Sequence, residues 1–291
     1  MRQIIQIARV VSLTCALLLA TGAHADDIVM TLGVSKSAEL PGLLDYILPI
    51  FKAASNVKVE VVVVDPGQEL ALAERAEVDA MLFDDRVAAD KIVAGQHGVN
   101  RLDAVYDDFV IVGPASDPAG IRGFTDAAKV LAQIAAKAAP FASRGDNSRV
   151  HRLELQLWKA AGVEPGSATA WYSKSGEAMA PTLALAAAKN AYTLTDRASW
   201  ANLENRGGLE ILTQGDPACF HVYSTILGDP VKRPINKFTY ARIWHDWLVN
   251  HHGREAIEKY RIHGEQIFFQ SPKPAADVAE KSGEKNKSAT P

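Results

Sequence analysis

Cysteine is nearly absent from this chain, whose 291 residues include only Cys15 and Cys219. Because Cys15 lies in an N-terminal segment that we expect to be removed, Cys219 has no partner for an internal disulfide. Such a lone cysteine most simply packs as a small apolar side chain. The fold is therefore predicted to depend on a hydrophobic core, which a chain of this length builds without covalent links.

A long hydrophobic run is missing as well. The N-terminal apolar stretch, Val10 to Ala20, has 11 residues, well short of the roughly 20 that a membrane-spanning helix needs. Arg2 and Arg9 precede this stretch and Ala23-His24-Ala25 follows it, which is the arrangement of a secretory signal. We predict a signal peptide over residues 1–25, cleaved after Ala25, and a soluble exported protein. A membrane anchor is the alternative.

The sequence shows neither a basic excess nor a catalytic signature. With 31 Lys and Arg against 34 Asp and Glu, the net charge is −3, which argues against a nucleic-acid partner. No G-x-S-x-G, G-x-x-x-x-G-K-[ST] or H-E-x-x-H pattern occurs. Two carboxylate pairs, Asp84-Asp85 and Asp107-Asp108, stand at predicted strand ends, where helix capping and turn formation account for them. We therefore expect neither an enzyme nor a cofactor.

What the sequence does contain is an alternation of apolar strands and amphipathic helices. Strand IVMTLGV begins at Ile28, helix PGLLDYILPIFKAA at Pro41 and strand VKVEVVVVD at Val57. The near-continuous valine run of the last strand is typical of a parallel strand covered on both faces. The alternation continues along the chain, and it predicts an α/β fold of mostly parallel sheets flanked by helices.

Two breaks divide the chain into lobes. The run PASDPAG follows Gly113, and GDPACFHVYSTILG, from Gly215, is predicted to be the turn that carries the chain back. We predict a discontinuous lobe I of residues 26–113 plus 216–270 and a lobe II of residues 114–215, with a ligand cleft between them. Two consecutive domains are the alternative. Residues 271–291 have few large apolar side chains, so we expect a disordered tail.

The stretch SRGDNSRVH, residues 143–151, is the first candidate for ligand binding. Arg144 ends an apparent strand, and Asp146, Asn147 and Ser148 are all favourable N-cap residues for the helix that follows. A fixed cation beside the free N–H groups of a helix N-terminus binds sulfate-like and phosphate-like anions. The alternative is structural, with Asp146 capping the helix and pairing with Arg144.

Two further loops follow the C-terminal ends of predicted strands, where α/β sheets usually bind ligands. GVSKSAELPG supplies Ser35, Lys36 and Ser37, which are two hydroxyl donors and an ammonium. DPGQE supplies Gly67 and Gln68 together with backbone N–H groups. Each loop also has a plain structural explanation, a helix cap in the first and a turn in the second.

Several segments of residues 28–270 together resemble one known family. In chain order they are GLLDYILPIFK, Gly67-Gln68, GVNR, YDDFVIVGPASDPAGI, SRGD, LWKAAG, AYTLTDR and GDP. The chain resembles the tungstate-binding solute receptors of bacterial ABC importers, a branch of the type II periplasmic binding proteins. The resemblance implies a two-lobed clamp in the periplasm, a monomer, and an ABC permease with its ATPase as partner.

In that family, as the resemblance implies, tetrahedral tungstate is held between the lobes by a TTTS-like loop and an SRGDDSGT-like turn. Arg144 and Ser148 match the second motif directly. The TTTS positions fall on residues 34–37, Val-Ser-Lys-Ser, and Arg149 and Val150 replace the final Gly and Thr of the turn. Val34 and Val150 each remove a hydrogen-bond donor, and each lost bond to a charged group is worth about 1.5 to 3 kcal/mol.

The function that the resemblance implies is a periplasmic solute receptor that binds a small oxyanion, tungstate or a molybdate-like anion, in the interlobe cleft. A metal then enters only as the centre of the oxyanion. The alternative is an envelope sensor or interaction module that keeps the clamp and has lost tungstate binding. The predicted ligand-binding residues are Ser35, Lys36, Ser37, Gly67, Gln68, Arg144 and Ser148.

Overall fold

The structure, a computed structural model, describes residues 28–35, 40, 42–166, 170–232 and 235–270. The predicted signal peptide, the predicted tail and two predicted ligand residues, Lys36 and Ser37, lie outside this part of the chain. Within it, no helix combines the length and the apolarity that crossing a bilayer requires.

The described residues form twelve strands and nine α-helices. The strands are β1 (Ile28–Ser35), β2 (Val57–Val64), β3 (Ala80–Phe83), β4 (Gly98–Pro114), β5 (Phe141–Ser143), β6 (Tyr172–Lys174), β7 (Thr193–Asp196), β8 (Leu209–Thr213), β9 (Phe220–Gly228), β10 (Arg261–Ile262), β11 (Glu265–Gln266) and β12 (Phe269–Gln270). The helices are α1 (Leu43–Ser55), α2 (Glu69–Glu74), α3 (Arg86–Ala94), α4 (Ala127–Ala136), α5 (Arg149–Ala160), α6 (Met179–Ala188), α7 (Arg197–Ala201), α8 (Ile235–Val249) and α9 (His251–Lys259).

The largest sheet combines parallel and antiparallel strands in the order β12-β4-β9-β3-β1-β2. The prediction of mostly parallel pairing is correct for β1, which runs parallel to both β2 and β3. It is wrong for β9, which runs antiparallel to β3 and β4. The reason is the chain path, since β4 leaves this part of the molecule and β9 returns to it, so the two strands run in opposite directions.

Strand β4 connects two parts of the molecule. Up to Asp108 it pairs with β9, and from Phe109 onward it pairs with β7 and β8. The second part also holds the parallel pair β5 and β6. A single strand of 17 residues thus passes from one sheet region into the other. We call the hinge the two places where the chain crosses between these regions, residues 108–109 in β4 and residues 217–220 before β9.

The hydrophobic core is divided in the same way. One cluster of buried side chains draws on residues 109–219, including Cys219, which is a free and buried cysteine as predicted. Two other clusters draw on residues 30–105 and 201–268. We call the part built on the first cluster the second lobe and the remainder the first lobe. This two-lobed α/β architecture confirms the predicted fold class, while the predicted lobe bounds stay a prediction.

The valine-rich strand β2 is not covered on both faces, so that prediction is wrong. Strand β2 stands at the edge of the sheet, and Val61 and Val63 are 38% and 59% exposed. A run of β-branched residues favours the strand conformation, but it does not determine the strand's position in the sheet. Each face of β2 is only partly covered: Val57 and Val59 pack against one cluster of the first lobe, and Val62 and Val64 against the other.

The segment GDPACFHVYSTILG is more than a turn. It contains a 3-10 helix, Pro217–Cys219, followed by the nine-residue strand β9. The β-branched and aromatic residues after His221 are the sequence signal for this strand. This strand matters for function, because β9 runs beside β4 through the hinge and its polar side chains line the cleft.

Candidate functional site

The SRGDNS turn joins β5 to α5 and is fixed by its own side chains. Nε of Arg144 donates to Oδ2 of Asp146 at 2.7 Å, and the backbone N–H of Ser148 donates to Oδ1 of Asp146 at 3.0 Å. Although desolvation opposes ionisation, the bonds from Ser148 and Arg144 lower the pKa of Asp146 to about 2. Gly145 and Asn147 adopt left-handed backbone angles, φ 67° and 61°.

The cap of α5 is Ser148, whose hydroxyl oxygen accepts from the N–H of His151 at 3.4 Å. The structural alternative is therefore half correct, because Asp146 pairs with Arg144 but does not cap the helix. Among the described residues, the two terminal nitrogens of Arg144 make no hydrogen bond. They remain available to an anion.

The other predicted ligand residues occupy different surroundings. Ser35 ends β1 and is fully buried. Gly67 and Gln68 lie in the exposed turn before α2, where the N–H of Gly67 donates to Glu69 at 2.7 Å and that of Gln68 to the carbonyl of Asp65 at 3.0 Å. These two N–H groups are thus already used within the turn.

A cavity of about 670 Å³ opens between the lobes. The first turn of α5 contributes three of the residues that line the cavity, and the other lining residues come from both lobes. The lining residues are Pro66, Glu69, Asp84, Asp85, Arg86, Val87, Asp107, Phe109, Arg149, Val150, Arg152, Asp196, Ala198, His221 and Tyr223.

None of the predicted ligand residues that the structure describes lines this cavity. Of the five that the structure describes, Gly67 adjoins the wall residue Pro66 and Ser148 adjoins Arg149. The N-terminus of α5 does face the cavity, with the partial positive charge that favours an anion. The sequence correctly predicted that the N-terminus of α5 lies at the cleft, but it did not predict the side chains that line the cavity.

At the centre of the cavity wall is a network that we call the cleft cluster: Asp84, Asp107, Arg149, His221 and Tyr223. Nη2 of Arg149 donates to Oδ2 of Asp84, and Nη1 of Arg149 contacts Nε2 of His221. His221 also lies 2.9 Å from Asp84 through Nε2 and 2.9 Å from Asp107 through Nδ1. The hydroxyl of Tyr223 is 3.1 Å from Nδ1 of His221. Arg149 comes from the second lobe and the other four residues from the first.

The charges of the cleft cluster determine one another. Burial opposes ionisation of Asp84, but His221 and Arg149 outweigh it and hold the pKa of this carboxyl well below its usual range. Burial raises the pKa of Asp107. Burial alone would lower the pKa of His221, yet the hydrogen bonds to Asp107 and Asp84 raise it above its usual value. The cluster therefore pairs its charges internally.

A second ion pair between the lobes lies at the hinge. Asp108 and Arg197 form a two-armed contact, with Nε to Oδ1 at 2.5 Å and Nη2 to Oδ2 at 2.8 Å. Nη2 of Arg197 also donates to Gln214 at 2.8 Å, and the guanidinium lies over the ring of Phe269. The sequence interpretation of Asp107-Asp108 as a strand end is wrong, because both residues lie inside β4.

Comparison with known proteins identifies the family and the fold of this chain. The model of the PBP superfamily domain matches residues 20–251. The tungstate-binding protein TupA of Peptoclostridium acidaminophilum is 32% identical over 231 residues, which are 79% of this chain and 80% of that protein.

The chain belongs to the tungstate-binding protein family of the PBP superfamily. TupA from Desulfovibrio alaskensis G20 superimposes with a TM-score of 0.72 and 34% identity, covering 84% of this chain and 100% of that one. The tungstate ABC transporter structure from Geobacter sulfurreducens has a TM-score of 0.58 and 41% identity, covering 80% and 98%.

One more group of metal-ligand side chains lies on the surface of this family member. His251, His252 and Glu255 bring their ligand atoms within 4.8 Å of one another. All three are exposed, and Glu255 already pairs with Lys259 at 2.6 Å. The two histidines stand in the first turn of α9, where the helix dipole disfavours a cation. We assign no metal site to them.

Proposed function

We propose that this protein is the periplasmic solute receptor of an ABC importer, and that it captures a small oxyanion, tungstate or a molybdate-like anion, between its lobes. Membership of the tungstate-binding family supports the class of function. Within the molecule, the observation that supports it most is the SRGDNS turn: the helix N-terminus that follows it faces the cavity, and the two terminal nitrogens of Arg144 make no hydrogen bond among the described residues. The receptor would pass the anion to a permease with its ATPase, without chemical change.

The proposed ligand groups are those that the family motif indicates. Arg144 supplies the cation through its terminal nitrogens, while Ser35, Ser37 and Ser148 supply hydroxyl donors and Lys36 a further positive charge. Gly67 and Gln68 belong to the same proposed set, although their N–H groups are engaged within the turn. Several of these groups must turn toward the cleft when the anion binds.

Isothermal titration of the purified protein, stripped of bound anions, tests this function. The titrants are tungstate, molybdate, sulfate and phosphate. Arg144→Ala should weaken the tightest of them by at least about tenfold, the lower end for a charged hydrogen bond. Arg75→Ala is the control, since Arg75 pairs with Glu77 on the surface.

An envelope sensor that keeps the clamp is the second candidate function. The observation that favours it is the cleft cluster, which fills part of the cavity with paired charges and places Arg149 where the family motif has glycine. If the folded protein binds none of the four anions, the result would favour this candidate over the solute receptor.

A further inference from the structure

The side chain of Arg149 crosses the cleft. It starts at the first position of α5 in the second lobe and ends on Asp84 and His221 of the first lobe, which are 65 and 72 residues away in sequence. Its neighbour Arg152 lines the same cavity but donates to the carbonyl of Asn147 at 2.7 Å, within its own lobe. Only one of these two guanidiniums thus joins the lobes.

The acceptor is built into the first lobe. Asp84 follows β3 directly and its side chain is 1% exposed, whereas that of Arg149 is 39% exposed. The carboxylate of Asp84 is thus held in a buried position, whereas the guanidinium of Arg149 is exposed enough to move away from it. The neighbouring Asp85 has a separate structural task, because its side chain caps α3 by accepting from Ala88 at 3.0 Å.

We propose that Arg149 is an interlobe clasp, which pairs with Asp84 and His221 across the cleft and holds the lobes closed before any anion enters. In a binding protein that closes only around its ligand, the ligand supplies the contacts that bridge the lobes. Here a residue of the protein supplies them. An anion that binds Nη2 of Arg149 therefore competes with Asp84 for this group.

The clasp also constrains the protonation of His221. Nε2 of His221 lies between the guanidinium of Arg149, which has only donors, and Oδ2 of Asp84, which accepts, so a proton on Nε2 meets a cation on one side and a carboxylate on the other. The groups around His221 are Asp84 after β3, Asp107 on β4, Tyr223 on β9 and Arg149 on α5. Closure of the clasp therefore disfavours protonation of His221, against the two carboxylates that favour it.

Distance measurement between spin labels in the anion-free mature chain tests the clasp. Lys91→Cys on α3 and Lys137→Cys at the end of α4 are exposed positions in different lobes, and the native Cys219 is buried. Arg149→Ala should lengthen the interlobe distance, and Asp84→Asn should lengthen it as well. Arg149→Lys should give a mixture of distances, because an ammonium lacks the planar fork.

Arg152→Ala is the matched control, since it removes a guanidinium from the same helical turn without removing a contact between the lobes. It should leave the distance unchanged. Circular dichroism checks that each variant is folded. Equal distances in the wild type, Arg149→Ala and Asp84→Asn would overturn the proposal. Because no anion is present, this result is independent of whether the protein binds tungstate.

Discussion

Two ion pairs connect the lobes, and they differ in almost every physical respect. The hinge pair, Asp108 and Arg197, is two-armed, and its side chains are 4% and 10% exposed. The cleft pair, Asp84 and Arg149, combines a buried carboxylate with a guanidinium that is 39% exposed. Both pairs join an aspartate of the first lobe to the first residue of a helix in the second.

The difference separates a permanent contact from a reversible one. Removing one partner of a buried, fully bonded pair leaves an uncompensated charge, which costs about 3 to 5 kcal/mol. A pair between exposed side chains contributes only about 0.2 to 1 kcal/mol, and the cleft pair approaches this case because Arg149 is partly exposed and His221 still pairs with Asp84 when Arg149 leaves. Near the hinge the lobes hardly separate, so Arg197 stays buried. At the cleft they separate most, so Arg149 must form and break its contact as they move.

The largest expected effect comes from breaking the hinge pair. Arg197→Ala leaves Asp108 buried without its cation, and we expect the free energy of unfolding to fall by about 3 to 5 kcal/mol. Urea unfolding followed by circular dichroism measures the change. Arg75→Ala, at a surface pair, should change it by less than about 1 kcal/mol. A hinge variant as stable as this control would contradict the assignment of Arg197 as a permanent contact.

The next effect concerns the cleft carboxylate. Asp84→Asn removes a negative charge from the cavity wall and releases Arg149, so tungstate should bind about tenfold more tightly, since a charged hydrogen bond is worth about 1.5 kcal/mol or more. Isothermal titration beside the wild type measures the affinity. Asp85→Asn is the control, because it also removes a charge from the cavity wall but leaves the contact between Asp84 and Arg149 in place. Weaker binding by Asp84→Asn would contradict the competition between Asp84 and the anion.

A smaller effect on stability is expected when the exposed partner of the cleft pair, Arg149, is removed. Arg149→Ala should lower the free energy of unfolding by less than about 1 kcal/mol, because solvent replaces the lost contacts when the lobes separate. The same urea series measures it. A loss as large as that of Arg197→Ala would show that the two pairs do not differ in the way described above.

The smallest effect is a pH dependence of closure. Arg149 lowers the affinity of His221 for a proton, so opening the cleft raises the pKa of His221 further, and the open state binds more protons. The pKa of His221 is raised above the usual histidine value of about 6.5, so the closed fraction should decrease as pH falls from about 8 toward that value. Interlobe distances measured across this range follow the change. His221→Gln should remove the pH dependence of closure. A pH response that persists in this variant would show that another titratable group causes it.

The sequence predicted the parts of this molecule that depend on local patterns. The alternation of strands and helices, the burial of Cys219 and the capped turn at Arg144 and Ser148 all follow from neighbouring residues. The edge position of β2 could not be predicted in this way, because the valine run favours a strand wherever that strand stands in the sheet.

The cleft cluster escaped prediction for a different reason. Asp84, Asp107 and His221 come from three separate segments, and Arg149 from a fourth, so no spacing in the sequence brings them together. The one available signal was the arginine at a glycine position of the family motif. The ion pair of Arg197 was not predicted either, because Arg197 and Asp108 are far apart in the sequence and Arg197 was considered only as part of the family segment AYTLTDR.

The most direct measurement is the interlobe distance in the wild-type protein before and after saturation with tungstate. If Arg149 closes the cleft, the anion-free protein gives the short distance, and tungstate leaves it nearly unchanged. A long distance without the anion that shortens when tungstate binds would mean that the ligand alone closes the lobes, and that the contact between Asp84 and Arg149 does not hold them.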